Sequence, residues 1–271
     1  MLNIKIKYVL LIFILNYLLF FTGIGFGYIN NTFDEYKNII ELADSDKTDD
    51  DKKTILSYKK MLELSPQSYW TIAALNFMIE GPATNIEKNF EEFLKPTTEA
   101  SKITLCTLYY YRWPKEFLSL IGEIENSPTI YGVYANLLLS FYYSGSAPDH
   151  PTDPEKGLSY LIKASKISNI SKEVEISILE EIAGIYLMHL HKEAEGLRLS
   201  EQILKKVSSD SELALLFQND TYRQELYIQM IIGYSKNNKK NEAKKYFDII
   251  KKETPNYKKL DVLEKTFIDS K

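Results

Sequence analysis

Apolar side chains recur every three or four residues along most of this chain, and short polar segments interrupt the pattern. This spacing places the apolar side chains on one face of an α-helix. Proline stands at several of the interruptions, where its missing N–H and its ring end a helix. The pattern predicts helices over residues 33–43, 51–64, 68–80, 85–95, 99–112, 114–125, 129–144, 154–168, 171–190, 192–206, 211–237, 239–252 and 257–268.

Short loops between these helices determine the predicted fold class. Short helices with tight connections form antiparallel pairs, and such pairs stack into a solenoid. The 11 glycines and 9 prolines are too few for the many tight turns of an all-β sandwich or barrel. An all-α solenoid of helix pairs is therefore predicted. A helical bundle without repeats is the alternative, because it shows the same alternation of small and large residues.

Residues 224–257 contain the most complete helix pair. Its packing positions are occupied, in order, by Tyr227, Met230, Ile231, Tyr234, Ala243, Phe247 and Pro255. Asn238 stands at the turn between the two helices, and asparagine tolerates the left-handed backbone geometry of such a turn. In its length and in these positions the segment resembles a tetratricopeptide repeat. Ile231 departs from the family pattern, which has glycine or alanine there.

Two segments upstream repeat the same order of residues. Their packing residues are Leu138, Leu139, Tyr142 and Gly157 in one segment, and Leu179, Ile182, Ala183, Tyr186 and Gly196 in the other. Each glycine occupies the place of Ala243 in the complete copy, where two helices approach closely. The stretch over 153–165 also resembles the second half of a Sel1-type unit, a related helix pair. The resemblance implies a tetratricopeptide-like α-solenoid over residues 31–271.

The N-terminal residues indicate the compartment. Lys5 and Lys7 precede an uncharged segment whose densest apolar part covers residues 8–21. A basic start followed by an apolar core is typical of a secretory signal peptide, and the following glycines suit cleavage after residue 25 or 27. Residues 1–27 are therefore predicted to be a signal peptide. One alternative is an uncleaved membrane anchor over residues 8–29, since that span is long enough to cross a bilayer. The other is a buried helix of a soluble protein.

A signal peptide and a membrane anchor would both place the bulk of the chain outside the cytoplasm. Basic residues before an apolar span keep the N-terminus in the cytosol, so the residues after the span are translocated. The protein is expected to be periplasmic or secreted. If the anchor is retained, residues 8–29 attach the protein to the membrane.

The sequence offers little catalytic chemistry. It contains no nucleophile elbow, phosphate-binding loop or paired-histidine zinc motif. Cys106 lies inside an apolar helical pattern and is expected to be buried and unreactive. His150, His189 and His191 are expected to be ordinary surface residues, because positions i and i+2 of a helix do not face each other. No enzyme activity, cofactor or metal is predicted.

The charge of the chain does not point to nucleic acid. The net charge is −4 and the pI is about 5.6, so the chain as a whole does not attract a polyanion. A lysine-rich stretch over 234–259 is locally basic. Its lysines fall between the packing positions of the repeat, which predicts a solvated face. Contact with an acidic partner or anionic lipid headgroups is the alternative.

The resemblance also implies a binding surface. In tetratricopeptide arrays the first helices of successive repeats line a concave groove that binds peptides. On this chain, that geometry points the following side chains toward the groove: Trp70, Phe77, Asn136, Tyr143, Glu180, Leu187, Ile228 and Ile232. The predicted function is an exported, non-catalytic scaffold that binds a protein or peptide partner there.

Two other functions stay open at this point. One is an accessory protein that binds a small apolar ligand inside a helical pore, as some transporter-associated tetratricopeptide proteins do. A pocket closed by aromatic side chains would favour it over an open groove. The other is an enzyme, which would need an acid, a base and a nucleophile in one cleft.

Overall fold

The structure is a computed structural model that describes residues 32–41, 48–80, 94–145, 150–253 and 264. Within these ranges the regular structure is α-helical and no strand is present, which confirms the all-α prediction. The predicted signal peptide or anchor and the predicted helix over 257–268 lie outside the described residues, apart from residue 264. Among the described residues, no helix combines the length and the apolar character needed to cross a bilayer.

The chain divides into two compact units, Met1–Lys95 and Pro96–Lys271. In the first unit the described helices are α1 (32–41), α2 (Thr48–Leu64) and α3 (Tyr69–Glu80). Helix α2 packs against α3, and the Thr71 hydroxyl donates to the Ser65 carbonyl oxygen at 2.7 Å across the turn between them.

The second unit is a series of helix pairs. Its described helices are α4 (Glu99–Arg112), α5 (Pro114–Gly122), α6 (Ile130–Tyr143), α7 (Pro154–Ala164), α8 (Lys172–Met188), α9 (Glu193–Ser209), α10 (Ala214–Gln218), α11 (Asp220–Lys236) and α12 (Lys240–Glu253). Helix α4 packs on α5, α6 on α7, α8 on α9, and α11 on α12. Contacts of α4 with α6, and of α8 with α11, join the first helices of neighbouring pairs. This arrangement is compatible with a helical repeat.

Local signals place the beginnings of several helices. Thr98, Asp153 and Ser171 each accept a hydrogen bond from a backbone N–H in the first turn of α4, α7 and α8. These side chains satisfy donors that have no partner inside the helix. Pro114 and Pro154 lie in the first turns of α5 and α7, where proline costs no helical hydrogen bond.

One predicted helix is two helices. The sequence predicts a continuous helix over 211–237, and the structure breaks it at Asn219, between α10 and α11. Asn219 has an extended backbone, with φ −71° and ψ 123°, and its side-chain oxygen accepts from the N–H groups of Thr221 and Tyr222. This cap starts a new helix because it satisfies two of its N-terminal donors.

Small residues bring the paired helices together. A Cβ atom added at Gly157 would stand 2.9 Å from the Ser140 carbonyl oxygen, and one at Gly196 would stand 3.2 Å from that of Ala183. Both distances are too short for an ordinary Cβ contact, so glycine is required for this packing. Ala243 is fully buried at the same place in α12. The predicted close approach is confirmed at both glycines.

The glycine contacts also determine the register of α6. Gly157 lies against Ser140 as Gly196 lies against Ala183, so Ser140 corresponds to Ala183. The tyrosine three residues after Ser140 is Tyr143. The sequence pattern instead assigns Tyr142 to the position that Tyr186 has in α8. The predicted register of α6 is therefore wrong by one residue. Because two tyrosines are adjacent here, the apolar pattern alone does not distinguish them.

Each of two helix pairs contains a stacked pair of tyrosine rings. Tyr143 of α6 stacks on Tyr160 of α7 with 5.7 Å between ring centroids and an angle of 12°. Tyr234 of α11 stacks on Tyr246 of α12 at 5.8 Å and 14°. Such stacked rings stabilise a contact by about 0.5–1.5 kcal/mol beyond the burial of their surface.

The turn between α11 and α12 has the predicted left-handed residue. Asn238 has φ 58°, which confirms the expectation for an asparagine at this position. The preceding Asn237 donates from its side-chain amide to the carbonyl oxygens of Gly233 and Glu193, each at 2.8 Å. The second of these bonds ties the turn to α9 of the previous helix pair.

Candidate functional site

The two predicted groove residues of the N-terminal unit lie in α3. Trp70 is 3% exposed, and its ring centroid lies 4.5 Å from that of Phe33 and 5.2 Å from that of Tyr36. Trp70 therefore belongs to the core of its unit. The side chain of Phe77 lies outside the described residues.

Asn136 is a structural link rather than an exposed side chain. It is fully buried, and its amide nitrogen donates to the carbonyl oxygens of Gly132 at 2.6 Å and Glu125 at 2.9 Å. The second bond joins α6 to the turn that follows α5. The amide nitrogen is thus used to hold the fold.

Tyr143 and Leu187 lie between paired helices. The Tyr143 ring stacks on Tyr160, and the Lys156 ammonium lies 3.8 Å from its centroid, which is close enough for a cation–π contact. Leu187 is buried under Gly196, at a distance that leaves no room for a side chain at position 196. Both side chains hold a helix pair together.

The other three predicted residues lie on α8 and α11, which are in contact. Glu180 is half-buried on α8, and its carboxylate accepts from the Tyr222 hydroxyl of α11 at 2.9 Å. Ile228 and Ile232 are half-buried on α11, and Ile228 packs toward the core that α11 shares with α12. The structure therefore brings Glu180 close to α11, the helix of Ile228 and Ile232, and leaves the other predicted residues elsewhere.

A continuous surface follows from these two helices. Besides the Tyr222 bond, the Gln229 amide donates to the Glu180 carbonyl oxygen at 3.1 Å, so one stripe of α11 lies along α8. Ile232 follows Gln229 by three residues and belongs to the same stripe. On α8, Gly184 and Met188 follow Glu180 at steps of four and share its face.

We call Glu180, Gly184, Met188 and Ile232 the α8–α11 surface. Met188 is 52% exposed. Gly184 leaves open space on this surface, because no other described residue would come within 4 Å of a Cβ atom added there. The surface therefore combines an acidic group, an open position on the helix and apolar side chains.

A buried hydroxyl holds the acidic group in place. Tyr222 is fully buried, and burial together with the charge and hydrogen bond of Glu180 raises its pKa far above the usual range. The hydroxyl therefore keeps its proton and donates to the carboxylate at every physiological pH. Glu225, one turn along α11, adds a second negative charge near this hydroxyl.

Sequence reasoning missed Gly184 and Met188. An isolated glycine inside a helical pattern is itself a signal, because it costs helix stability and usually has a packing or functional reason. Met188 is the last residue of α8, and its apolar side chain fits the helical pattern of a core position. The exposure of Met188 depends on where α8 ends relative to the neighbouring helices. The apolar pattern of the sequence gives no information about this.

The position of His150 differs from the sequence prediction. The sequence predicts a surface histidine, but this side chain is 7% exposed and lies among the rings of Tyr110, Tyr111 and Tyr142, with centroids 4.7, 5.5 and 4.3 Å away. Its Nε2 atom donates to the Tyr110 carbonyl oxygen at 2.9 Å. It fills an aromatic cluster that the sequence order does not reveal.

Two open depressions lie elsewhere. One has a volume of about 480 Å³ and is lined by Thr32, Asp34, Glu35, Asn38, Lys60, Met61, Leu64 and Ser65. The other has about 240 Å³ and is lined by Glu125, Asn126, Ser127, Pro128, Lys163, Lys166, Ile167 and Ser168. Among the described residues that line these two depressions, none is aromatic.

Comparison with protein-family models, with curated proteins and with solved structures finds no match to this chain.

Proposed function

We propose that this protein is a non-catalytic, tetratricopeptide-like scaffold that binds a protein or peptide partner on the α8–α11 surface. The support for the repeat is the order of residues in 224–257, together with the small-residue contacts that recur in the helix pairs. The observation that carries the binding proposal is the open space at Gly184.

Glycine inside a helix needs a reason. It costs roughly 0.5–1 kcal/mol relative to alanine, because the unfolded chain loses more conformational freedom. At Gly157 and Gly196 the reason is a neighbouring helix that leaves no room for a side chain. Gly122 also has open space among the described residues, but it is the last residue of α5 and does not interrupt a helix interior. Gly184 lies in the interior of α8, where no other described residue would come within 4 Å of an added Cβ atom, and we infer that a ligand approaches the backbone there.

The side chains around Gly184 suit a protein partner. Met188 is exposed, and methionine adapts its flexible thioether chain to different apolar surfaces. Ile232 adds half-buried apolar area on the neighbouring helix. We expect a partner to place a side chain in the open space beside these aliphatic side chains.

We further propose that binding takes place outside the cytoplasm, in the periplasm or after secretion. The support is the basic start and apolar core at residues 5–21. If residues 8–29 are retained, the scaffold is tethered to the membrane. The proposal needs no cofactor, metal or nucleic acid.

The test is affinity capture with the full chain from cells that express it. Gly184→Leu fills the open space, and Gly122→Leu is the matched control, since it adds the same side chain at another glycine with open space. A partner that copurifies with the wild type and with Gly122→Leu, and that is lost with Gly184→Leu, supports the proposal. A set of copurifying proteins that is the same for all three chains contradicts it.

A further inference from the structure

We infer that the lysine-rich side of α12 binds an anionic membrane surface. The chemistry that it recognises is that of phospholipid headgroups with a net negative charge. This inference goes beyond the proposed function, because it concerns residues outside the α8–α11 surface and a ligand that is not a protein.

The first support is the position of the lysines on α12. The helix buries Ala243, Phe247 and Ile250 in the core. All of its lysines are exposed, and at about 3.6 residues per turn they occupy an arc of about 140° around the helix. We call this arc the α12 basic face; its lysines are Lys240, Lys244, Lys245, Lys251 and Lys252.

The α12 basic face contains one carboxylate. This is Asp248, which pairs with Lys244 at 2.6 Å. The other carboxylates of α12, Glu242 and Glu253, lie outside the arc, and Glu253 pairs with Arg223 at 3.1 Å. Five lysines and one aspartate give this face a formal charge of +4, on a chain whose net charge is −4. The face therefore favours an anionic ligand.

The second support is the lack of an apolar centre on this face. Interfaces between proteins are depleted in lysine and have an apolar core. No apolar side chain of α12 is exposed, and the half-buried Tyr246 and Ile249 lie outside the arc. A protein partner would find charge here but no apolar anchor. A membrane needs only the charge, because clusters of about four to eight basic residues on a helix bind anionic lipids electrostatically.

The third support is the N-terminal sequence. The apolar core at residues 8–21 is predicted to enter a membrane as a signal peptide or an anchor, and the rest of the chain follows on the far side of that membrane. The α12 basic face is then on the side where it can contact the headgroups. Stable attachment commonly combines an apolar anchor with a basic patch, and this chain offers both.

The experiment measures the partition of the full chain between buffer and sedimented lipid vesicles. One set of vesicles is phosphatidylcholine, and the other contains equal parts of phosphatidylcholine and phosphatidylglycerol. The ratio of the two partition coefficients cancels the contribution of residues 8–29, which carry no charge. We expect a ratio of about 100 or more in dilute buffer, because each lysine near an anionic surface strengthens binding about fivefold. The ratio should approach unity at about 1 M salt, where the screening length falls to about 3 Å.

Lysine substitutions locate the site. Lys240→Gln, Lys244→Gln and Lys245→Gln are combined in one variant, which leaves the last turn of α12 unchanged. The matched control combines Lys115→Gln, Lys166→Gln and Lys205→Gln, since these lysines are exposed elsewhere in the second unit. We expect the α12 variant to lower the ratio about tenfold or more, and the control to leave it unchanged. Arginine at the same three positions of α12 keeps the charge and should keep the ratio, and circular dichroism checks that each variant is helical.

Three outcomes would overturn the inference. The first is equal partition of the wild type into both kinds of vesicle. The second is an equal loss in the two glutamine variants, which would show that total charge rather than the α12 basic face acts. The third is an acidic protein that copurifies with the wild type and is lost with the α12 variant, while the chain shows no preference for anionic vesicles. The proposed function is tested separately, by the affinity capture with Gly184→Leu.

Discussion

Gly196 lies directly against Leu187: a Cβ atom at position 196 would stand 2.6 Å from the Leu187 Cγ atom. Leu187 is 1% exposed, so it is enclosed by other residues. Helices α8 and α9 are therefore packed at a distance that favours glycine. Because α8 also contacts α11, this contact positions one half of the α8–α11 surface.

Gly196→Ala should destabilise the protein by about 1–3 kcal/mol, because the added methyl group overpacks the contact with Leu187. Gly184→Ala should instead stabilise it by roughly 0.5–1 kcal/mol, since alanine favours the helix and meets open space. Urea unfolding of both variants measures these changes. Equal midpoints for the two variants would show that the helix packing is wrong.

Asn238 tests the turn between α11 and α12. Its φ of 58° costs an alanine side chain about 1–2 kcal/mol, whereas glycine adopts this geometry freely. Asn238→Ala should therefore lower the free energy of unfolding by about 1 kcal/mol, and Asn238→Gly should leave it unchanged or raise it. Thermal unfolding distinguishes the two. An alanine variant as stable as the glycine variant would contradict the left-handed turn.

Cys106 should be unreactive in the folded protein. It is fully buried, as the sequence predicts, and burial together with the charge of Glu123 raises the pKa of its thiol far above the usual range. At pH 8 the reactive thiolate is therefore almost absent. Alkylation by iodoacetamide, followed by mass spectrometry, should occur only in urea that unfolds the chain. Rapid modification in buffer would contradict this burial.

Export is tested by a reporter enzyme fused after residue 271. We expect activity only outside the cytosol, because Lys5 and Lys7 precede the apolar core at residues 8–21. The mass of the mature N-terminus then distinguishes a cleaved signal peptide from a retained anchor. A soluble, unprocessed fusion with cytosolic activity would contradict export.

Much of the helical architecture is predictable from the sequence. The predicted helix over 99–112 matches α4, and the prediction over 129–144 differs from α6 by one residue at each end. Threonine caps precede both helices, and most of their residues are buried. Where these local signals agree, a helix can be predicted without knowledge of the helices that pack against it.

The remaining differences come from contacts between distant residues. The break at Asn219 has a local signal, since asparagine followed by aspartate is typical of a helix start. The burial of His150 has none, because its ring cluster includes Tyr110, 40 positions away along the chain. For the α8–α11 surface, the repeat geometry predicts Glu180 and Ile232. It does not predict which interior glycine has open space among the described residues.

The most direct test of the α8–α11 surface is site-specific photo-crosslinking in cells that express the full chain. A photoreactive amino acid replaces Met188, which is 52% exposed on α8, or Ile162, which is 41% exposed on α7. We predict a crosslinked partner of defined mass from position 188 that disappears when Gly184→Leu is added, and none from position 162. Equal crosslinking from both positions, or crosslinking at 188 that survives Gly184→Leu, would contradict binding of a partner on the α8–α11 surface.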